Sequence, residues 1–212
     1  WTPYWEDGAG SSAAETAMNR DSSDRVEQAE TLWAMQFPHT YPAGDFERAW
    51  NHVLLYSEHT WGAWCSVGEP TRRETREQWA VKQSYAVTAD LESRDLLSRA
   101  LGRGQQTADS GAIDVFNTTS WPRTDLVVVP KYLSGERSRV VDAQGKPLPS
   151  QRLSGGELVF LARNVPPFAS LRYKLEEGPP QSDEKATAAN DAVSNGLVSA
   201  RLDAKTGAID EL

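Results

Sequence analysis

The sequence predicts an α+β chain of two domains, an antiparallel three-helix bundle followed by a truncated antiparallel β-sandwich. Three observations carry this prediction. The first hundred residues place apolar side chains at helical spacing between capping signals. From residue 113 the pattern changes to short β-rich runs broken by glycine and proline. Charge and tryptophan content change over the same region: residues 1–104 carry 16 acidic and 10 basic residues, residues 105–212 carry 14 and 12, and seven of the eight tryptophans fall at or before Trp79. The expected division is a lead-in loop over 1–10, the bundle over 11–104 and the sandwich over 105–212, joined near Gly102–Gly111.

The first helix opens on Ser12-x-x-Glu15, a capping-box pattern in which each side chain satisfies the other residue's free amide. Met18, Val26, Ala29 and Trp33 follow at helical spacing, and Pro38 marks the end. The second helix is expected to start at Asp45 as N-cap. Phe46, Ala49, Trp50, Val53, Leu54 and Ser57 form its inward stripe. A third helix follows Pro70 with another capping box, Thr71-x-x-Glu74. Its periodic positions Trp79, Ala86, Ala89, Leu96, Leu97 and Ala100 run to the stop signal Gly102 and Gly104. Such a helix is roughly 45 Å long. Three helices with short connections form an antiparallel bundle.

In the second half Ile113–Phe116, Leu126–Val129, Arg139–Val141 and Leu158–Leu161 are strand candidates, and the turn residues between them suggest a sandwich. Residues 176–192, rich in Glu, Pro, Ser and Ala, suggest a loose surface loop or linker. A last strand pair is expected to begin at Leu197–Leu202, turn at Lys205-Thr206-Gly207 and stop at Leu212. An unpaired edge around 197–212 would make the chain poorly soluble. With Trp1 at one end and a strand-like run at the other, the sequence reads as a piece of something longer.

Composition removes several classes of function. A net charge of −8 argues against a nucleic-acid partner, which needs a basic face. No apolar run approaches the ~18 residues of a membrane span. The lone Cys65 excludes an internal disulfide framework and is expected to be an inert small residue.

The stretch Tyr56-Ser57-Glu58-His59-Thr60-Trp61-Gly62-Ala63-Trp64 is the most informative. A histidine at a helix end, beside aromatics and a glycine, suits a metal or sugar site. It equally suits a helix-terminal histidine that is favourable with the helix dipole. One histidine is not a zinc site, which needs three or four protein ligands. His52 lies two helical turns before His59, about 10 Å along the axis, and His39 lies in a proline-flanked loop. At the other end of the first half, Trp1, Tyr4 and Trp5 crowd against Glu6 and Asp7. Aromatics there can stack on sugar faces while carboxylates bind hydroxyls, or the acids merely complement a helix start. Trp33, Trp50 and Trp79 fall on inner stripes, whereas Trp61 and Trp64 are better stacking candidates.

These residues carry a resemblance. Tyr4-Trp5-Glu6-Asp7-Gly8, Ser11-Ser12-Ala13, Glu15, Arg20 and Ala29-Glu30 resemble the lead-in to the middle helical domain of glycoside hydrolase family 38 α-mannosidases. So does Ala49-Trp50 with Leu54-Leu55-Tyr56-Ser57-Glu58-His59-Thr60-Trp61-Gly62-Ala63. Val115-Phe116-Asn117-Thr118-Thr119-Ser120-Trp121-Pro122-Arg123 resembles the start of the family's C-terminal sandwich. Val165-Pro166-Pro167, Tyr173, Asn195-Gly196-Leu197, Asp203 and Thr206-Gly207 resemble later landmarks. The motifs follow in order over nearly the whole chain.

The resemblance implies a zinc-dependent retaining glycosidase acting on α-mannosides or related glycans. In the family a His-x-Asp pair, an aspartate nucleophile and a further histidine hold the metal, and His59 matches that last histidine. Its neutral imidazole would bind zinc at roughly 2.0–2.1 Å. Asp7, Trp5, Thr60 and Trp61 are the implied substrate contacts. Many relatives have an aspartate where this chain has Thr60. The His-x-Asp pair, the nucleophile and the general acid are expected upstream of Trp1, in a catalytic domain that the chain needs for activity. Against this stand two other readings: a non-catalytic carbohydrate-binding module using Trp5, Trp61 and Trp64, and a helical scaffold or interaction module.

Overall fold

The computed structural model describes residues 12–58, 65–102, 111–182 and 186–212. The chain divides into two compact units, Trp1–Thr107 and Ala108–Leu212. It is an α+β protein, with helices first and antiparallel sheets after them.

The first unit holds α1 (Ala13–Gln36), a 3-10 turn (Pro38–Thr40), α2 (Ala43–Ser57) and α3 (Arg73–Gly102). Buried positions recur at alternating steps of three and four. They are Asn19, Ser22, Val26, Ala29 and Trp33 on α1, Phe46, Ala49, Val53 and Tyr56 on α2, and Ala86, Ala89, Ser93, Leu96 and Ala100 on α3. That is the seam of a helical bundle. Many of these residues are alanine or serine, which lets the helices approach closely. Direction follows from the cross-links. Gln83 reaches Glu15, Arg25 reaches Asp90 and the Trp33 indole donates to the Leu96 carbonyl, so α1 and α3 run the same way. Thr16 meets Tyr56 and Arg99 meets Asp45, so α2 runs against both.

The helices stand as expected, but their ends are held differently. Ser12 makes no side-chain capping bond. Its hydroxyl accepts from Tyr56 at 3.3 Å, and Glu15 accepts from Gln83 of α3 at 2.7 Å. α2 begins at Ala43 after Pro42, so Asp45 sits inside the first turn and bonds Arg48 and Arg99 instead of capping. α3 begins at Arg73, where Glu74 turns to its own amide and to Arg72. For Ser12, Glu15 and Asp45 a partner on another helix replaces the local cap, whereas Glu74 stays with its own amide and Arg72. The stripe of α2 is also rotated: Tyr56 is 1% exposed, while Leu54 is 61% exposed and Ser57 lies on the surface. Trp33 is fully buried, as expected, but Trp50 and Trp79 are only half-buried.

The second unit holds β1 (Ala112–Asn117), β2 (Arg123–Val129), the short helix α4 (Lys131–Ser134), β3 (Arg139–Val141), β4 (Pro147–Leu148), β5 (Ser150–Arg152), β6 (Leu158–Val165) and β7 (Ala169–Glu176). Two antiparallel sheets, β1-β7-β3-β4 and β2-β6-β5, enclose one core. Val129, Val140, Leu158, Phe160, Ala162, Val165, Tyr173 and Leu175 fill it. Alternation along β7 sends Leu171, Tyr173 and Leu175 inward and Arg172 and Lys174 outward. The register pairs Ile113 with Tyr173 and Val115 with Leu171, which keeps β1 on the same core. Gly111 starts this sheet at φ +59°, and a Cβ there would stand 2.9 Å from the Leu175 carbonyl oxygen. Only glycine fits that approach.

Asn117 ties the end of β1 to the loop after β6. Buried to 2% exposure, it donates to the carbonyls of Trp121, Val165 and Pro166 and accepts from the amide and hydroxyl of Thr119. Asn117-Thr118-Thr119 has the form of a glycosylation acceptor, yet this amide is spent on the fold.

A third sheet, β11-β10-β9-β8, is a meander of β8 (Thr187–Ala189), β9 (Ala192–Ser194), β10 (Ser199–Leu202) and β11 (Ile209–Glu211). One expectation is corrected here. The segment expected as a loose loop over 176–192 supplies the end of β7, all of β8 and the first residue of β9. The expected edge around 197–212 is present at β11, which ends the sheet, whereas β10 pairs on both sides, with β9 and with β11. The turn at Lys205–Gly207 stands, fixed by the Asp203 carboxylate accepting from the amides of Lys205 and Thr206.

Candidate functional site

The residues expected to carry function, Trp5, Asp7, His59, Thr60 and Trp61, lie outside the described residues, as does Trp64. What the structure describes is the end of the bundle from which both segments depart. Ser12 at the start of α1 and Tyr56 in the last turn of α2 are joined there. The Tyr56 hydroxyl lies 3.0 Å from the Thr16 hydroxyl and 3.4 Å from the Ser12 carbonyl oxygen. Asn19 donates to the Ser57 hydroxyl at 3.0 Å and to the Val53 carbonyl at 3.4 Å. The two chain positions that precede and follow these segments therefore sit at one place, although they are more than forty residues apart in sequence.

α3 closes this end. No glycine follows α2, and Glu58 leaves the helix in an extended conformation, φ −58° and ψ 143°. The last carbonyls of a helix have no partner within it. Here the Lys82 ammonium supplies one, donating to the carbonyl oxygens of Leu55 at 2.9 Å, Glu58 at 3.2 Å and Tyr56 at 3.5 Å. It also pairs with the Glu58 carboxylate at 3.2 Å, its own side chain being 15% exposed. Beside it an open groove of about 520 Å³ is lined by Leu55, Glu58, Glu74, Glu77, Val81 and Tyr85, among others. The carboxylates of this groove have cationic partners: Glu58 with Lys82, Glu74 with Arg72 and Glu77 with Arg73. At the first turns of α3, Thr75 Oγ1 and Trp79 Nε1 are buried with no hydrogen-bond partner.

The other two histidines are engaged elsewhere. His39 is exposed in the 3-10 turn between α1 and α2, and His52 Nδ1 lies 2.8 Å from Glu92 Oε2 across α2 and α3. Among the described residues no group of three His, Cys, Asp or Glu side chains can hold a metal ion. Cys65 is a free, half-buried thiol at φ +66°.

The charged groups across the bundle are matched. Arg99, then Arg48, hold the Asp45 carboxyl below the usual range. Arg94 does the same for Asp90, with Arg25 adding to it from α1. Sequence patterns missed Lys82, because a cation that caps a different helix leaves no local signal. The one available hint was its helical spacing from Tyr85 and Trp79.

No protein-family model matches the sequence, and no curated protein matches it. Among solved structures, an alpha-mannosidase from Enterococcus faecalis V583 is similar in fold, with a TM-score of 0.54 and 17% sequence identity. The likeness covers 90% of this chain and 28% of that one. The chain thus spans little more than a quarter of the length of that enzyme, and the two share an arrangement of helices and sheets.

Proposed function

We propose that the chain is the helical and first β part of a zinc-dependent retaining α-mannosidase-like glycoside hydrolase, and that it contributes His59 as one zinc ligand. The observation that carries this reading is the fold likeness to an alpha-mannosidase over 90% of the chain. The ordered motifs from Tyr4 to Gly207 point the same way. Among the described residues no group of three His, Cys, Asp or Glu side chains can hold a metal ion, and in this reading the remaining ligands and both reacting carboxyl groups lie in a catalytic domain upstream of Trp1. A retaining mechanism needs two such groups about 5–5.5 Å apart. Zinc in such a site orients sugar hydroxyls and stabilises developing charge. This chain's own part is to present one imidazole from the end of α2, with Trp5, Asp7, Thr60 and Trp61 as sugar contacts.

The test uses the longest protein that carries this chain, purified with zinc. His59→Ala should weaken zinc binding at least ~10-fold, and α-mannoside hydrolysis should fall with it. The 212-residue chain alone should not hydrolyse an aryl α-mannoside. Chelator-sensitive turnover by that chain would show that it holds the reacting carboxylates and overturn the reading. Unchanged zinc and activity in His59→Ala, with stability alone reduced, would make His59 a helix-terminal residue and favour the scaffold reading.

A further inference from the structure

We propose that Asn195 is a self-modification site. The amide nitrogen of Gly196 attacks the Asn195 side chain and expels ammonia, which leaves aspartate or isoaspartate in the turn between β9 and β10.

Of the asparagines in the chain, Asn195 alone is followed by glycine. A glycine amide is the least hindered backbone nucleophile, because no Cβ shields it and its dihedrals are free. Residues 195–198 join β9 to β10, with Gly196 at φ +83°. The Asn195 side chain folds back over this turn, and its Oδ1 accepts from the amides of Leu197 at 3.0 Å and Val198 at 2.8 Å. Two amide donors at about 2.7–3.1 Å are the arrangement that stabilises the oxyanion of acyl transfer. They draw electron density from Cγ and hold it beside the backbone that contains the Gly196 amide. The Gly196 N–H lies outside the strand ladders and donates to the Ser194 hydroxyl at 3.3 Å, so its release breaks no sheet pairing. No residue from 186 to 212 is buried, and a sheet without buried side chains opens locally with ease.

The chemistry needs water alone. Hydroxide takes the Gly196 amide proton as the nitrogen bonds to Asn195 Cγ. The Cγ–Nδ2 bond then breaks, and ammonia leaves with a proton from water. Water opens the resulting cyclic imide at either carbonyl carbon, giving aspartate from attack at Cγ and isoaspartate from attack at the main-chain carbon. Aspartate keeps the two acceptor bonds of the turn, now charge-assisted. Isoaspartate routes the main chain through the side-chain carbon, which disturbs the pairing of Ser194 with Ser199 and of Val193 with Ala200. The turn between β8 and β9 provides an internal comparison. Asn190 is exposed there too, but the next residue is Asp191, whose side chain crowds the attacking amide.

The test incubates the purified protein at mildly alkaline pH and resolves the asparagine, aspartate and isoaspartate forms by peptide mapping with mass spectrometry. Asn195 should convert at least ~10-fold faster than Asn190 in the same molecules. It should also convert at least as fast as in a synthetic peptide spanning residues 190–200. A smaller ratio to Asn190 overturns the proposal. Slower conversion than in the peptide overturns it as well, because the turn would then shield the side chain instead of activating it. Gly196→Ala should cut conversion at least ~10-fold by hindering the nucleophile, and undiminished conversion in that variant overturns the proposal. Alanine is strained at φ +83°, so where Gly196→Ala fails to fold, the two comparisons made on the unaltered protein decide the matter.

Discussion

The two units hold themselves together in different ways. The sandwich core centres on a continuous apolar cluster of Val, Leu, Phe, Ala and Tyr, and its buried polar residues Asn117, Ser134 and Ser150 donate to backbone carbonyls. The bundle seam mixes small and polar residues: Asn19, Ser22, Thr75 and Ser93 are buried among Val26, Ala29, Ala86 and Ala89. Across it Arg25 donates to both Asp90 and Ser93. Apolar burial has no direction, so it stabilises the sandwich without selecting among similar packings. Polar pairs demand geometry, so they fix helix register while adding little net stability. The bundle is thus the more specified unit for its size, and the sandwich the more tolerant one.

The largest expected effect breaks the sandwich. Phe160 is 1% exposed and its ring lies 4.9 Å from that of Tyr173. Phe160→Ala should cost about 3–5 kcal/mol, as a cavity in a dry core does, read by urea denaturation of the second unit. The bundle's helical circular dichroism should survive at urea concentrations where the variant sheets have melted. Joint melting at one midpoint would show that the units are not independent.

Asn117→Ala comes next. The substitution leaves the buried carbonyl of Val165 without its donor and should cost about 3 kcal/mol. Asn117→Asp should not rescue it, since a carboxylate cannot donate to three carbonyls. Equal stability of the aspartate variant and wild type would mean that the donated bonds contribute little.

The bundle should respond most to pH. Asp90 and Asp45 are both held below the usual carboxyl range by arginines, chiefly Arg94 and Arg99. Two of the pairs, with Arg25 and with Arg99, join different helices. A carboxyl whose folded pKa is lowered stabilises fully above its unfolded value of about 3.9 and loses that contribution as pH falls through the folded value. The bundle should therefore weaken in acid, and Asp90→Asn should flatten the dependence while costing about 1–2 kcal/mol at neutral pH. In the second unit, Asp125 and Asp203 are also lowered, but chiefly by the amides of Leu126 and Thr206 in their own strand and turn. Melting curves between about pH 6 and pH 3 compare the units, and equal acid slopes would contradict this contrast.

The smallest effect concerns Ser12. As a helix cap it would be worth about 1 kcal/mol. Since its side chain makes no capping bond and receives the Tyr56 hydroxyl, Ser12→Ala should change stability by no more than about 0.5 kcal/mol. A full kilocalorie lost on thermal melting would restore the capping box.

Sequence alone determined the three helices and the change to short strands after them, because these follow from near neighbours. Apolar spacing marked the three helices, β-branched runs marked β2, β3 and β6, and glycine and proline marked the turns. The strand at Ala169–Glu176 escaped notice despite its clean alternation, since Arg172, Lys174 and Glu176 dilute its apolar content. At the candidate site, His59 was singled out by its company of Trp and Gly and by resemblance, and it lies outside the described residues. Only the tertiary structure decided which face of α2 is buried, and which partner meets Asp45, Glu15, Asn117 and Lys82. A hydrogen-bonding group takes the best donor or acceptor within reach, and in a folded chain that partner is often forty or more residues away. Spacing along the sequence records the local alternatives; packing chooses among them.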